Sequence, residues 1–280
     1  MMLFWCCYLG IDIILKRIVK ELIQMFFQGA KVESEVGLEE VRRRVDILII
    51  KPKKARIPEN SWLALLNIVD ADHIIIEAKH IGSTIERRII RQVLEYRILL
   101  PIVKKLKFWR AFLILIVSKI NDLNTILRWI EDIIGLDVRV HKVGNGLYLI
   151  KEPKPFSMAI VAIDELDCDV IGNDALCMLS LDEKVKERAI KRILQSYSKD
   201  SFIYNLALVY DIELHGWSVL SEYKIEIPIR GIITLIEAVG VKNLAKALGP
   251  EKAIDFVIEI INMLPEDKRK ELIKRLIDVV

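Results

Sequence analysis

Three charged residues lie inside two otherwise apolar segments of the chain. Asp46 interrupts the apolar run 45–49, and Glu77 and Lys79 end the apolar run 73–79. Side chains alternate along a strand, so Glu77 and Lys79 would point to the same face of a sheet. Pairing of that strand with the Asp46 strand can bring all three side chains together.

Two carboxylates held this close repel each other and are costly to desolvate, so a bound divalent cation is the simplest compensation. Oxygen ligands combined with a substrate phosphate suit Mg²⁺ or Mn²⁺. The chemistry predicted for Asp46, Glu77 and Lys79 is therefore metal-dependent hydrolysis of a phosphodiester. Lys79 would orient or help deprotonate the attacking water, or act as a fixed cation on the phosphate.

The Glu-x-Lys triplet alone is a weak signal, because it also occurs at 152–154, 222–224 and 266–268. Only the Glu77 copy combines an upstream Asp-bearing strand, an apolar strand context and a helix directly after it. Glu222 and Lys224, with Asp211 upstream, form the one rival arrangement.

The elements that would position these residues follow from hydrophobic periodicity and turn signals. Ser83 and Glu86 have capping-box spacing and predict the start of a helix that runs until Pro101. Gly144-Asn145-Gly146 predicts the turn of a hairpin. The order through residue 150 is that of a mixed α/β domain, with helices expected at 11–28, after 60–61, from 83 and at 122–134, and strands at 32–36, 44–50, 73–78, 112–117, 138–142 and 147–150.

Beyond Pro153 and Pro155 the periodicity becomes mainly helical, at 181–196, 229–248, 250–263 and 266–278. Residues 205–228 are ambiguous, and strands around Tyr210 and at 223–227 remain open. We therefore expect a catalytic core over 1–155 and a mainly helical region over 156–280 that covers the core or mediates association, including a homodimer.

Composition indicates a soluble globular protein, with 53% hydrophobic and 29% charged residues. The net charge is unevenly distributed: residues 1–155 carry 26 Lys/Arg against 18 Asp/Glu, whereas residues 156–280 carry 16 against 21. The basic part is a candidate surface for a nucleic-acid backbone. Its candidate contact residues are Arg43, Arg44, Lys53, Lys54, Arg88, Lys104 and Lys105.

The apolar start at 1–10 lacks a basic segment before it and is soon followed by charged residues, which favours a cytoplasmic protein without a signal peptide or spanning helix. Four cysteines, Cys6, Cys7, Cys168 and Cys177, show no zinc-binding spacing and suit reduced thiols.

The pattern of Asp46, Glu77 and Lys79 resembles that of the PD-(D/E)XK, or restriction-endonuclease-like, nuclease superfamily. The family's α-β-β-β-α-β core and D…(E)-x-K motif fit residues 11–118. Gln92 and Tyr96 form a Q-x-x-x-Y pattern similar to that of the branch containing recombination exonucleases and CRISPR-adaptation nucleases.

This resemblance implies a mixed central sheet flanked by helices, a Mg²⁺ or Mn²⁺ cofactor and a nucleic-acid substrate, with DNA favoured over RNA. It also implies that Gln92 and Tyr96 position substrate or the catalytic groups. Members of the family often add an acidic residue from the first helix, for which Glu21 is the positional match, with Glu33 and Glu35 as competitors. The chain departs from the family pattern at Val45, where proline is usual, and in the length of the Asp46–Glu77 gap.

A second function class remains open at this point. Asp46, Glu77 and Lys79 could form a structural ion network in a nuclease-like fold that has lost activity, leaving a nucleic-acid-binding or assembly module. The amino-acid sequence does not determine whether the nucleic acid is single- or double-stranded or whether cleavage is endo- or exonucleolytic. It also does not determine which nucleotide sequence is preferred.

Overall fold

The computed structural model describes residues 8–38, 43–50, 56–68, 71–79, 85–105, 107, 110–152 and 156–215, and seven single positions between 258 and 273. The chain divides into two compact units. The sheet unit comprises residues 15–195, and the terminal unit comprises residues 1–14 together with 196–280.

The sheet unit is built on one seven-stranded mixed sheet. In space the strands follow the order β1-β2-β3-β4-β7-β6-β5. The central pairs β3–β4 and β4–β7 are parallel, whereas β1–β2, β2–β3, β7–β6 and β6–β5 are antiparallel. The strands are β1 (Lys31–Leu38), β2 (Arg43–Ile50), β3 (His73–Ala78), β4 (Ala111–Val117), β5 (Arg139–Gly144), β6 (Leu147–Glu152) and β7 (Met158–Ala162).

Seven α-helices lie within the described residues from 8 to 215. The two that connect sheet strands and pack against each other, α3 and α4, share one core with one face of the sheet. The helices are α1 (Tyr8–Phe26), α2 (Ala64–Ile68), α3 (Arg87–Val103), α4 (Leu123–Ile134), α5 (Asn173–Cys177), α6 (Glu183–Ser196) and α7 (Phe202–His215).

The central strands of the sheet are continuous apolar runs, because the sheet is buried on both faces there. All seven residues of β4 are buried, as are all five of β7. Buried parallel strands have this composition, whereas a strand with one face in water would alternate. Helix α3 connects β3 to the parallel strand β4, so β3 and its charged residues end at the same edge of the sheet as β4.

The expected mixed α/β fold is confirmed, and every strand predicted before residue 150 is present within a few residues. One strand was missed: β7 follows the proline-rich segment and lies between β4 and β6. The expected junction near residue 155 therefore falls between two adjacent strands of one sheet. The boundaries between the two compact units instead fall at 14/15 and 195/196.

Two boundaries of α3 differ from expectation. Glu86 occupies the N-cap position, without a side-chain hydrogen bond, rather than the third helical position of a capping box. Ser83 lies outside the described residues. The helix also continues past Pro101 to Val103, because only its last turn follows the proline and the backbone N–H of Lys104 closes that turn on the carbonyl of Leu100 at 2.9 Å.

In the terminal unit, the ambiguous segment around Tyr210 is part of helix α7 rather than a strand. Residues 202–209 are all buried, and an apolar run without polar faces cannot be assigned to helix or strand from periodicity. Asp211 of the rival arrangement lies on this helix, and Glu222 and Lys224 lie outside the described residues. Across the described part of the chain, no helix is both long and apolar enough to cross a membrane.

Candidate active site

Asp46 and Glu77 are brought face to face by the register of two antiparallel strands. Ile47 of β2 pairs with Ile76 of β3, so the next residues outward, Asp46 and Glu77, lie opposite each other where β3 ends. Leu48 and Ile75, two residues away along each strand, belong to the core shared with α3 and α4. Side-chain alternation therefore places Glu77 on that same face of the sheet.

Hydrogen bonds connect the three predicted residues at this sheet edge. The backbone N–H of Ala78 donates to Asp46 Oδ2 at 3.0 Å, and the N–H of Asp46 approaches Glu77 Oε2 at 3.5 Å. Lys79 Nζ donates to Glu77 Oε1 at 2.5 Å. The structure thus brings Asp46, Glu77 and Lys79 into one hydrogen-bonded group.

Helix α1 adds a second lysine to the group. Lys16 Nζ lies 3.0 Å from Asp46 Oδ1 and also hydrogen-bonds Glu35 on β1. Glu35 has φ +53°, in the left-handed region, where a residue with a Cβ is strained by about 1–2 kcal/mol. We call Lys16, Glu35, Asp46, Glu77 and Lys79 the edge cluster.

Glu21 and Lys16 lie on different sides of α1. They are five residues apart, which corresponds to about 140° around a helix. Lys16 joins Glu35 to Asp46, so Glu35 is an acid of the edge cluster. Glu33, the other competitor, pairs with Lys31 at 2.6 Å.

The edge cluster carries three carboxylates and two ammonium groups, and its most buried member is Glu77. That residue is 2% exposed. Burial, together with the negative charge of Asp46, raises the pKa of Glu77 to about 7, although Lys79 opposes both effects. The carboxylate of Glu77 is therefore poorly compensated by the protein alone.

Lys16 is held in its charged form. Burial lowers the pKa of Lys16, but hydrogen bonds to Glu35 and Asp46 and the charges of both residues more than offset this, so the pKa lies above its usual value. At neutral pH Lys16 therefore supplies a fixed positive charge beside Asp46.

The arrangement fits a magnesium ion held by few protein ligands. Among the described residues no group of three or more His, Cys, Asp or Glu side chains is arranged to hold a metal ion. Mg²⁺ is usually bound by one or two carboxylates, with water and substrate phosphate completing the shell. Asp46 and Glu77 supply such a pair, and the raised pKa of Glu77 favours a nearby cation at neutral pH.

Gln92 and Tyr96 lie on α3, the helix that follows the Glu77 strand. Gln92 Nε2 donates to the Tyr96 hydroxyl at 2.5 Å. Tyr96 is 3% exposed and its ring belongs to the core shared with α4, whereas Gln92 is half-buried. The pair is thus a packed, hydrogen-bonded unit on the face of the sheet that carries Glu77.

Replacing Tyr96 with phenylalanine tests whether this unit acts on substrate or only on packing. We expect the free energy of unfolding to fall by about 1 kcal/mol, because one hydrogen bond is lost while the ring remains. We expect substrate cleavage to fall further than that loss explains. Denaturant unfolding and cleavage rates of Tyr96→Phe and Gln92→Ala give the comparison, and full activity with reduced stability would assign the pair to packing.

Of the predicted basic residues, the structure describes the side chains of Arg88, Lys104 and Lys105, and these lie at opposite ends of α3. Arg88 is exposed near the start of α3, where its Nε donates to Glu86 at 2.6 Å. Lys104 and Lys105 are exposed just after the other end of α3, about 24 Å away along the helix axis. Arg43 and Arg44 begin β2, and Lys53 and Lys54 lie outside the described residues.

Sequence reasoning missed two groups near the carboxyl ends of the parallel strands. Periodicity places Lys16 on the face of α1 opposite its apolar stripe, yet its side chain is only 17% exposed. Asp164 and Glu165 follow β7, where Glu165 accepts a hydrogen bond from Tyr148 and Asp164 accepts one from Ser180 at 2.7 Å. The position of Asp164 and Glu165 directly after an apolar run could have indicated acidic groups at the end of a strand, but periodicity does not identify that run as a strand.

The edge cluster therefore joins residues from one helix, three adjacent strands and the position just after β3 around two facing carboxylates. Its function has to be inferred from these side chains and their geometry. Compared with protein-family models, curated proteins and solved structures, the chain gives no match.

Proposed function

We propose that the protein is a divalent-metal-dependent nuclease of the PD-(D/E)XK type that hydrolyses phosphodiester bonds in nucleic acid, with DNA as the expected substrate. The observation that carries this proposal is the facing pair Asp46 and Glu77, with Lys79 hydrogen-bonded to the buried carboxylate. The element order α1-β1-β2-β3-α3-β4 supports it, because apart from the short α2 it follows the order of the nuclease core that the sequence resembles.

Asp46 and Glu77 would hold the metal ion. When bound, Mg²⁺ or Mn²⁺ supplies a water of lowered pKa and neutralises negative charge on the phosphoryl oxygens. Glu77 must be deprotonated to act as a ligand, and its pKa of about 7 places this change close to neutral pH. The backbone N–H of Ala78 fixes the orientation of Asp46 through its Oδ2 atom.

Lys79 would place its ammonium group beside the scissile phosphate. Its Nζ is half-buried and anchored to Glu77 Oε1, so its position is set before substrate arrives. A preorganised cation at the site of developing negative charge stabilises the transition state without reorganisation. Lys79 would thus orient the attacking water or neutralise the phosphate.

The inactive binding module remains a second candidate because of one observation. Lys16 and Lys79 each pair with one of the two facing carboxylates, as in a structural ion network. In that case divalent cations would neither bind at the edge cluster nor support cleavage. A requirement for a divalent metal ion in cleavage therefore distinguishes the nuclease from the inactive binding module.

The test is cleavage of end-labelled single- and double-stranded DNA and RNA by the purified full chain in Mg²⁺, in Mn²⁺ and in excess chelator. We expect cleavage of at least one substrate that requires the metal and is lost in chelator. Binding of nucleic acid without cleavage in either metal would favour the inactive module and contradict the proposal.

Lys16 is expected to compete with the metal ion for Asp46. Replacing Lys16 with glutamine should lower the Mg²⁺ concentration needed for half-maximal binding roughly fivefold, because a partly exposed ion pair contributes up to about 1 kcal/mol. Isothermal titration with Mg²⁺ measures this. Lys20→Gln, one turn further along α1, is the matched control, and equal Mg²⁺ affinities in both variants would show that Lys16 does not compete.

A further inference from the structure

Lys16 pairs with one oxygen of a carboxylate that the proposed metal site requires. Asp46 Oδ2 accepts the backbone N–H of Ala78 at 3.0 Å, and Lys16 Nζ lies 3.0 Å from Asp46 Oδ1. Oδ1 is therefore the oxygen for which Lys16 and a divalent ion compete. Two cations on one carboxylate oxygen repel each other, so binding of the ion to Asp46 would release Lys16 Nζ from it.

The backbone of α1 is fixed at Lys16, so only the side chain can respond to this release. Leu15, Ile18 and Val19 are buried in the core on either side of it along the helix. The lysine side chain is a flexible four-carbon stem, so the ammonium group can change partner while the helix stays in place. Lys16 would therefore remain a member of the edge cluster after Asp46 has bound an ion.

Glu35 is the second partner of Lys16 and lies nearer to solvent. Lys16 Nζ hydrogen-bonds the Glu35 carboxylate, whose side chain is 48% exposed, compared with 19% for Asp46. Release from Asp46 would leave the ammonium group on this more open side of the edge cluster. A nucleic-acid substrate approaches from solvent, so its phosphate would meet Lys16 there.

The backbone of Glu35 is held in an unfavourable conformation beside Asp46. The β1–β2 ladder continues on both sides of Glu35, through Ser34 and Val36. Glu35 itself has φ +53°, in the left-handed region. Backbone strain of this kind is concentrated at binding and catalytic sites. It supports a functional role for the ion pair that Glu35 makes with Lys16.

The two lysines of the edge cluster pair with different members of the facing carboxylates. Lys79 Nζ donates to Glu77 Oε1 at 2.5 Å, whereas Lys16 pairs with Asp46. Cations placed around a phosphoryl group stabilise the negative charge that develops on its oxygens. Lys16 would thus add to Lys79 a second ammonium group beside the same phosphate.

We propose that Lys16 is a second substrate-contacting cation, which passes from Asp46 to a phosphate oxygen of the nucleic acid when a divalent ion binds at Asp46. This role rests on the proposed nuclease function. In the metal-free protein Asp46 holds the ammonium group. The affinity for the ion and the affinity for nucleic acid are therefore coupled through one side chain.

The coupling is tested by the affinity for DNA, measured as the fluorescence anisotropy of labelled single-stranded and duplex oligonucleotides with the full chain. The measurement is made in Ca²⁺, which also takes oxygen ligands, and in excess chelator. In Ca²⁺, Lys16→Gln should weaken DNA binding about tenfold, because a charge-assisted contact is lost. In chelator, where Asp46 holds Lys16, the variant should bind within about twofold of the wild-type protein.

Two further variants serve as controls for charge. Lys20→Gln removes an equal charge one turn further along α1 and should change DNA affinity by the same factor in Ca²⁺ and in chelator. Lys16→Arg keeps a cation and should lose less than about threefold in Ca²⁺. Equal losses for Lys16→Gln in Ca²⁺ and in chelator would overturn the proposal, as would equal losses for Lys16→Arg and Lys16→Gln in Ca²⁺.

The two affinities of Lys16→Gln should move in opposite directions, since this variant should bind Mg²⁺ more tightly and, with metal present, DNA more weakly. A lysine with a purely structural role would not produce this combination, and a fall in both affinities would contradict the proposal. Denaturant unfolding in chelator checks that the variant is folded, and Lys16→Met, which keeps the length of the stem, replaces it if it is not.

Failure of this role can be distinguished from failure of the nuclease function. If the wild-type protein cleaves no substrate in Mg²⁺ or Mn²⁺, the nuclease function is wrong and the role of Lys16 is wrong with it. If the wild-type protein cleaves, but Lys16→Gln binds DNA in Ca²⁺ as tightly as the wild-type protein does, only the role of Lys16 is wrong.

Discussion

Replacing Asp46 with asparagine or Glu77 with glutamine should reduce metal-dependent cleavage by roughly 10³-fold or more, corresponding to about 4 kcal/mol of lost transition-state stabilisation. Each change removes a charged oxygen ligand while preserving side-chain size. The neutral amide that replaces the carboxylate is a poor partner for a hard divalent cation, so both metal affinity and the rate at saturating metal should fall. Single-turnover cleavage at several Mg²⁺ concentrations separates these two losses.

The matched control for this experiment is Asp132→Asn. Asp132 is an exposed carboxylate on α4 that pairs with Arg87 at 3.1 Å, so the variant changes the net charge equally without touching the edge cluster. Its cleavage rate should stay within about twofold of the wild-type rate, because surface ion pairs contribute little. Cleavage by either the Asp46 or the Glu77 variant at the wild-type rate would rule out the proposed metal site.

Glu77→Gln should also make the metal-free protein more stable at alkaline pH. The pKa of Glu77 is about 7 in the folded protein, above its ordinary value of 4.5, because burial and Asp46 disfavour the charged form. The folded state thus binds this proton more tightly than the unfolded state. The associated stability is fully present below pH 4.5 and is lost as the pH rises through 7.

At pH 8 the free energy of unfolding of the wild-type protein is lower by on the order of 3 kcal/mol because Glu77 is ionised. The neutral glutamine of the variant causes no such decrease. Chemical denaturation in chelator should therefore give similar stabilities for the two proteins near pH 4 and a more stable variant at pH 8. Saturating Mg²⁺ should narrow or reverse the difference at pH 8, since ligand binding stabilises only the protein that binds it. If the free energies of unfolding of the two proteins differ by the same amount from pH 4 to pH 8, ionisation of the Glu77 carboxyl does not destabilise the folded protein.

The sequence was most informative where a local pattern of residues is compatible with only one local structure. The charged residues Asp46 and Glu77 inside two otherwise apolar runs predicted two paired strands, and both are present. The hairpin turn was predictable because Gly146 has φ +67° and a Cβ there would lie 2.5 Å from the carbonyl oxygen of Ala162. The helix expected over 122–134 is present as α4, and Asp122 is its N-cap, whose side chain accepts from the N–H of Asn124 at 3.0 Å.

The features that could not be predicted depend on residues distant in sequence. The run that forms β7 is short and apolar on both faces, so its periodicity does not distinguish a buried strand from a helix. Lys16 reaches Asp46 only because of the way α1 meets β1 and β2, which no local pattern encodes. The burial of Glu77 likewise arises from tertiary packing.

The place of β7 in the sheet has a consequence for how the protein is made. When residues through 152 have left the ribosome, β4 and the β6–β5 hairpin are complete, but the strand that joins them has not yet emerged. Until Met158–Ala162 arrives, the nascent chain presents an unpaired edge of seven apolar residues on β4. Such an edge is a template for pairing with other chains. Rapid arrival of the next ten residues thus protects the nascent protein from aggregation.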